Sequence, residues 1–188
     1  DEDGDGHFLF GFEESFGYLL GMDVRDKDAV ASSLIAAEMA ATMRSEGRTL
    51  MDFIEEIYRK YGYGVEKTVS IFREGASGAE DISSAMAWLR EGGVDILGDI
   101  PVKIFKDYQM QTALDVDSGE VSALDTSPSN VLLYELEGLD WFCVRPSGTE
   151  PKIKVYFGCY GDDRAAQEEK IGQLSAQFVA LVNDRLDA

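Results

Sequence analysis

The ten residues from Cys143 to Lys152 (Cys-Val-Arg-Pro-Ser-Gly-Thr-Glu-Pro-Lys) narrow the possible fold of this chain more than any others. Trp141-Phe142-Cys143-Val144 leads into them, and Ile153, Val155 and Phe157 alternate with polar residues after them. Alternation with period two marks a half-buried strand, and Pro, Ser and Gly are turn formers. The pattern predicts two strands joined by a short loop. The loop also concentrates chemistry, because Arg145, Ser147, Gly148 and Thr149 stand within five residues. A guanidinium offers a rigid fork of donors that matches phosphate oxygens. Hydroxyls add neutral donors, and Gly lets backbone N–H groups approach an anion. Residue types alone leave two readings open: a phosphate cradle, or a hairpin in which Pro and Gly only shape the turn.

Charge sharpens the question. The 188 residues carry a formal net charge of −19. An acidic surface repels nucleic acid, so a nucleic-acid partner is not expected. Anion binding must then be local, and Arg145, Lys152 and Lys154 supply a basic island within ten residues. Lys152 and Lys154 alternate with Ile153 and Val155, so both fall on one face of a strand. They either add charge to a phosphate pocket or form a solvated strand face. No apolar run approaches the ~20 residues of a membrane helix, and no membrane partner is expected. The length suffices for one or two small domains with real cores. The two cysteines, Cys143 and Cys159, have no CxxC spacing and no neighbouring histidine, which argues against zinc. Small buried thiols are expected, in keeping with a reducing cytoplasm.

The pass along the chain gives an ordered set of elements. Phe8 to Phe12 predicts a short buried strand running into a loop at Glu13–Ser15. Asp26 or Asp28 caps a helix over 28–45, with Val30, Leu34, Ala37 and Ala41 on its inner face and Gly47 at its end. Thr49 opens a second helix, with Asp52 three residues on as a variant capping box. Gly62-Tyr63-Gly64 marks a domain boundary. Beyond it come a strand at 65–73, a helix at 79–91 with Ile82, Ala85, Met86 and Leu89 inward, and a strand at 101–106. A polar loop or hairpin over 115–129 follows, then strands near 130–136, 140–145 and 152–158. A helix over 162–185 closes the order, with Ile171, Leu174, Phe178 and Leu181 inward. Trp88 and Trp141 read as packing residues. Strands in succession with helices at intervals imply an α+β layer, an antiparallel sheet covered by helices on one side.

Two further clusters bear on function. Glu13 and Ser15 place a carboxylate and a hydroxyl two residues apart, able to bridge vicinal sugar hydroxyls. The plain reading of Glu13-Glu14 is a solvated loop. Asp1-Glu2-Asp3-Gly4-Asp5-Gly6 mimics the start of a calcium loop, but its twelfth position is Phe12 where a Glu is needed. A solvated acidic turn is the expectation there, and no metal site is assigned to this chain.

Arg145-Pro146-Ser147-Gly148-Thr149-Glu150-Pro151-Lys152 resembles the phosphate-binding loop of the α-D-phosphohexomutases, the phosphoglucomutases and phosphomannomutases. Gly11-Phe12-Glu13-Glu14-Ser15-Phe16-Gly17-Tyr18 resembles their sugar-binding loop. The two lie in the family's order, and the resemblance covers nearly the whole chain. The resemblance implies that residues 1–62 are the end of the α/β third domain and that residues 63–188 form the α+β fourth domain. It implies that Glu13 and Ser15 bind hexose hydroxyls, and that Arg145, Ser147, Gly148 and Thr149 hold the phosphate that is not reacting. Lys154 joins these candidates on its charge and its place in the strand alone. The family's phosphorylated serine loop and its Asp-Gly-Asp-Gly-Asp-Arg magnesium loop have no counterpart here. The chain also starts at Asp1 rather than Met. The expectation is therefore the rear portion of a mutase that interconverts hexose 1-phosphate and 6-phosphate, glucose favoured, through a phosphoserine and a bisphosphate. Mg²⁺ would be bound outside this chain, and the chain alone would be inactive. Its partners would be a hexose phosphate and the missing N-terminal domains, with self-association open to it where apolar surface is left uncovered. The alternative is a stand-alone phosphosugar-binding or regulatory module.

Overall fold

A computed structural model of the chain describes residues 8–13 and 17–187. They divide into two compact units that meet between Lys60 and Tyr61.

The first unit begins with a hairpin. Strand β1 (Phe10–Glu13) pairs antiparallel with β2 (Gly17–Leu20), and Glu13 stands opposite Gly17. Helix α1 (Ala29–Ser45) follows. Asp28 caps it, its carboxylate accepting from Val30 N and Ala31 N at 3.0 Å each. Gly47, at φ 72°, ends it, and Arg48 N reaches back to Met43 O at 2.9 Å. Only a residue without Cβ takes that left-handed turn cheaply. Helix α2 (Leu50–Tyr61) opens on the expected capping box. Thr49 N and its hydroxyl both donate to Asp52 Oδ2 at 2.7 Å, and Asp52 N donates to Thr49 Oγ1 at 3.2 Å.

Two expectations fail in this unit. The strand at 8–12 is not buried: Phe10 and Phe12 are exposed. Nor is the predicted inner face of α1, where Val30 is 82% and Leu34 61% exposed and Ala37 and Ala41 are exposed too. Neither α1 nor α2 has a buried residue. The apolar spacing is present, but no further described strand covers it.

The second unit contains one large sheet. Its strands are β3 (Tyr63–Phe72), β4 (Ile96–Leu97), β5 (Ile100–Asp107), β6 (Thr112–Asp115), β7 (Val121–Ala123), β8 (Leu132–Leu136), β9 (Trp141–Pro146) and β10 (Lys152–Gly161). The order across the sheet is β3-β10-β9-β8-β5-β6-β7, with β4 paired to β5, and every pairing is antiparallel. The polar 115–129 stretch turns out to hold the second strand of a hairpin whose first strand begins earlier, at Thr112. Helices α3 (Gly78–Arg90) and α4 (Arg164–Leu186) bring their apolar stripes onto one face. Alternation sorts the residues: Phe142, Val144, Ile153, Val155 and Phe157 go inward and are at most 1% exposed. Tyr134 and Phe142 stack at 4.4 Å between ring centres, and Phe178 of α4 meets Phe142 at 5.1 Å. The Tyr134 hydroxyl, buried in this core, donates to Leu89 O at the end of α3 at 2.8 Å.

One expectation about the thiols is corrected. Cys159 is buried, but Cys143 falls on the outward row of β9 and is only partly covered. The one-residue register difference decides this. Both are free thiols, and burial pushes each up to about 11.

Candidate functional site

The stems of the loop fix its chemistry. Pairing of β9 with β10 sets Val144 opposite Val155, inward, and so Arg145 opposite Lys154, outward. Two cations face each other across neighbouring strands, an arrangement that is destabilising by itself. Many basic residues of this acidic chain are engaged: Lys27, Arg48, Arg59, Arg73, Arg90, Lys103, Lys106, Lys152, Arg164 and Lys170 all pair with carboxylates. Among the described residues neither the Arg145 nor the Lys154 side chain makes a hydrogen bond or ion pair. Their charge is left available to something outside the chain.

The loop tip is held by its own backbone. Ser147 N donates to Lys152 O at 2.9 Å and Lys152 N to Glu150 O at 2.8 Å. Ser147 Oγ accepts the backbone N–H groups of Thr149 at 3.4 Å and Glu150 at 3.3 Å. These long bonds mark two donors pointed at one spot, which a better acceptor could take over. A Cβ added at Gly148 would meet nothing within 4 Å, so the glycine borders open space. Lys152 differs from Lys154. Its ammonium pairs with Glu150 and lies 5.1 Å above the Phe72 ring, and its side chain is only 15% exposed. Of the two lysines, the structure spends one inside the loop and leaves the other free.

Further along the same stems, Trp141 lies flat against Gly158, its paired residue on β10. A Cβ there would fall 2.4 Å from the indole nitrogen. At that end buried Asp140 accepts from Tyr160 N at 2.9 Å and from Lys170 at 2.8 Å, tying both strands to α4.

In the first unit Glu13 ends β1, while Ser15 lies outside the described residues, as does the acidic run at 1–6. Sequence reading missed a neighbour of Glu13. The Lys27 ammonium stands 3.9 Å from its carboxylate and 2.9 Å from that of Asp26. Asp26, then Glu13, raises the Lys27 pKa above its usual value. A Cβ on Gly17 would lie 2.4 Å from Lys27 Cδ and 2.5 Å from Glu13 Oε1, so glycine there lets the two side chains cross. That Gly was the only signal in the sequence. Glu13 and Lys27 border a groove of about 720 Å³ otherwise lined mainly by apolar residues such as Phe10, Leu20, Ile35 and Met39. Among the described residues no three His, Cys, Asp or Glu side chains gather as a metal site.

Comparison with known proteins adds to this geometry. The family model described as phosphoglucomutase/phosphomannomutase, alpha/beta/alpha domain III, matches residues 2–61, and that described as the C-terminal domain of the same family matches residues 120–170. This chain belongs to the phosphoglucomutase/phosphomannomutase family. Curated relatives within it include the phosphoglucomutase of Staphylococcus epidermidis, 36% identical over 80% of this chain and 27% of its own length. That of Staphylococcus aureus is 36% identical over 86% of this chain and 30% of its own. That of Staphylococcus saprophyticus is 32% identical over 95% and 31%. The chain thus spans roughly three-tenths of these phosphoglucomutases and carries the family's α/β third-domain segment followed by its α+β C-terminal domain. The crystal structure of parafusin, a phosphoglucomutase from Paramecium in its open form, shares the fold with a TM-score of 0.58 at 15% identity, covering 90% of this chain and 30% of that one.

Proposed function

We propose that this chain is the sugar- and distal-phosphate-binding part of a phosphohexomutase that interconverts hexose 1-phosphate and hexose 6-phosphate, with glucose the favoured sugar. The observation that carries it is the unpaired Arg145–Lys154 couple beside a loop with two backbone donors aimed at one point. Arg145 forks onto two phosphate oxygens, and Lys154 adds a point charge. Ser147 and Thr149 supply hydroxyls, and Gly148 leaves room for the anion. Glu13, steadied by Lys27, and Ser15 take the hydroxyls of the ring. A phosphate gripped at one end of the sugar orients the other end for transfer, so binding energy lowers the chemical barrier.

The transfer itself, through a phosphoserine and a bisphosphate, belongs to segments outside this chain, as does the Mg²⁺ that such transfers use. Residues 1–62 serve as the end of the sugar-binding domain and 63–188 as the phosphate-binding domain. By itself the chain turns nothing over, and measurable mutase activity of the purified 188 residues would overturn that. The enzyme works in the cytoplasm, where its two free thiols stay reduced. The exposed apolar faces of α1 and α2 lead the isolated chain to self-associate, which sedimentation at several concentrations tests.

The direct test is an NMR titration of the chain with glucose 6-phosphate, alongside Arg145→Ala. Saturable shifts at 145–149 that vanish in the variant support the clamp, even at the roughly millimolar affinity of an incomplete site. Saturable shifts that persist in Arg145→Ala would sink it.

A further inference from the structure

We infer that Arg73 is a positioning residue that orders the phosphate loop by fastening it to the C-terminal end of α4. This rests on reading 145–154 as the phosphate site. Arg73 follows the last residue of β3, and its backbone N–H donates to Pro151 O at 2.9 Å, at the foot of the loop. Its guanidinium turns the other way. Nη2 reaches Asn183 Oδ1 at 3.2 Å and Asp187 Oδ1 at 3.1 Å, both at the end of α4. A residue 110 positions along the chain is thereby linked to the loop through a single side chain and its own amide.

The packing around Arg73 leaves little slack. A Cβ on Gly78, the first residue of α3, would fall 2.3 Å from Arg73 O and 3.2 Å from Pro151 Cβ. The neighbouring residues of the loop and β3 are also joined: Lys152 pairs in register with Phe72 and lies over its ring. The loop's return limb therefore rests on Phe72 and Arg73. What fixes Arg73 fixes Pro151, and through it the turn whose Thr149 and Glu150 N–H groups converge on Ser147 Oγ. Arg73 Nε is buried with no partner among the described residues, so the guanidinium hangs by Nη2 alone. Losing Asn183 and Asp187 would release it. A cation at a helix C-terminus is also favoured by the helix dipole, which makes this end of α4 a suitable anchor.

The experiment compares the purified chain with Arg73→Met, Arg73→Lys and the double variant Asn183→Ala/Asp187→Ala. Hydrogen exchange of the Ser147, Thr149 and Glu150 amides is read without ligand, and glucose 6-phosphate affinity is read by NMR titration. Expected in Arg73→Met and in the double variant are faster exchange at those amides and affinity weaker by about tenfold, the scale of coupling between contacting groups. Core resonances of Phe142 and Phe157 should stay in place. Arg73→Lys, which keeps a charge for Asp187 but loses the planar fork, should fall between. A merely structural role lowers the melting temperature without moving the loop amides of the folded chain. Unchanged loop exchange in a folded variant overturns the inference. If Arg73→Met does not fold, the double variant at the end of α4 decides. If the unaltered chain binds no glucose 6-phosphate, the phosphate reading fails, and the ligand-free exchange still decides the role of Arg73.

Discussion

Helices α1 and α4 make an instructive pair. Both begin at an aspartate that caps the first turn, Asp28 and Asp163, and both carry the apolar spacing of a helix that should face a core. Yet α4 buries Ile171, Leu174, Phe178 and Val182, while α1 buries nothing. The difference lies in the partner, not the helix. α4 lies on a sheet whose inward rows are complete, whereas the described residues of the first unit offer α1 a two-stranded hairpin. Caps are local and form wherever their residues stand; burial needs a second surface that the helix does not encode.

The contrast can be broken by mutation. Phe178→Ala removes a ring that is 0% exposed and packed on Phe142 and Phe157. It should cost about 3–5 kcal/mol in denaturant unfolding of the second unit. Gly158→Ala should cost about 1–3 kcal/mol by driving a methyl into the indole of Trp141. Tryptophan emission should shift with it, and an unaltered spectrum would mean the indole does not rest there. Thr49→Ala removes the box that starts α2 and should cost about 1 kcal/mol, seen as faster exchange of the first-turn amides. The same box responds to acid. The Thr49 hydroxyl first, and its backbone N–H second, hold the Asp52 carboxyl below its usual 3.8. A depressed folded value means the contribution is complete above 3.8 and disappears as pH falls through the folded value. The carboxyl chemical shift of Asp52 should report this and return to an ordinary titration in Thr49→Ala. Smallest of all, Leu34→Ala on the uncovered face of α1 should change stability by no more than about 0.5 kcal/mol. A loss as large as that of Phe178→Ala would show that the two helices are not so different.

What the sequence revealed divides along the same line. The capping box at Thr49, an aspartate cap at 26 or 28, the terminator Gly47 and the strands around the 145–152 loop were legible because each is written within a few residues. The strand order was not. β3 lies beside β10, the strand most distant from it in the sequence, and no local pattern announces that. Strand β2 was missed because Gly17-Tyr18-Leu19-Leu20 is short and opens on a glycine. The site shows the same limit. Arg145 and Lys154 were picked out by type, but that they stand directly opposite each other follows from register. Lys27 reached Glu13 only because the hairpin turns the chain back toward it.

The loop between Arg145 and Lys152 springs from β9 and β10, neither of which is a rim strand: β10 is flanked by β3, and β9 by β8. A loop on an outer hairpin can loosen while the rest of a sheet stands. Here the stems cannot part without opening both neighbours, so the last structure to open is the one that carries the cations. If the loop binds phosphate as proposed, that binding should persist on warming until the cooperative step that melts the sheet, with no intermediate temperature at which a folded protein has lost its grip.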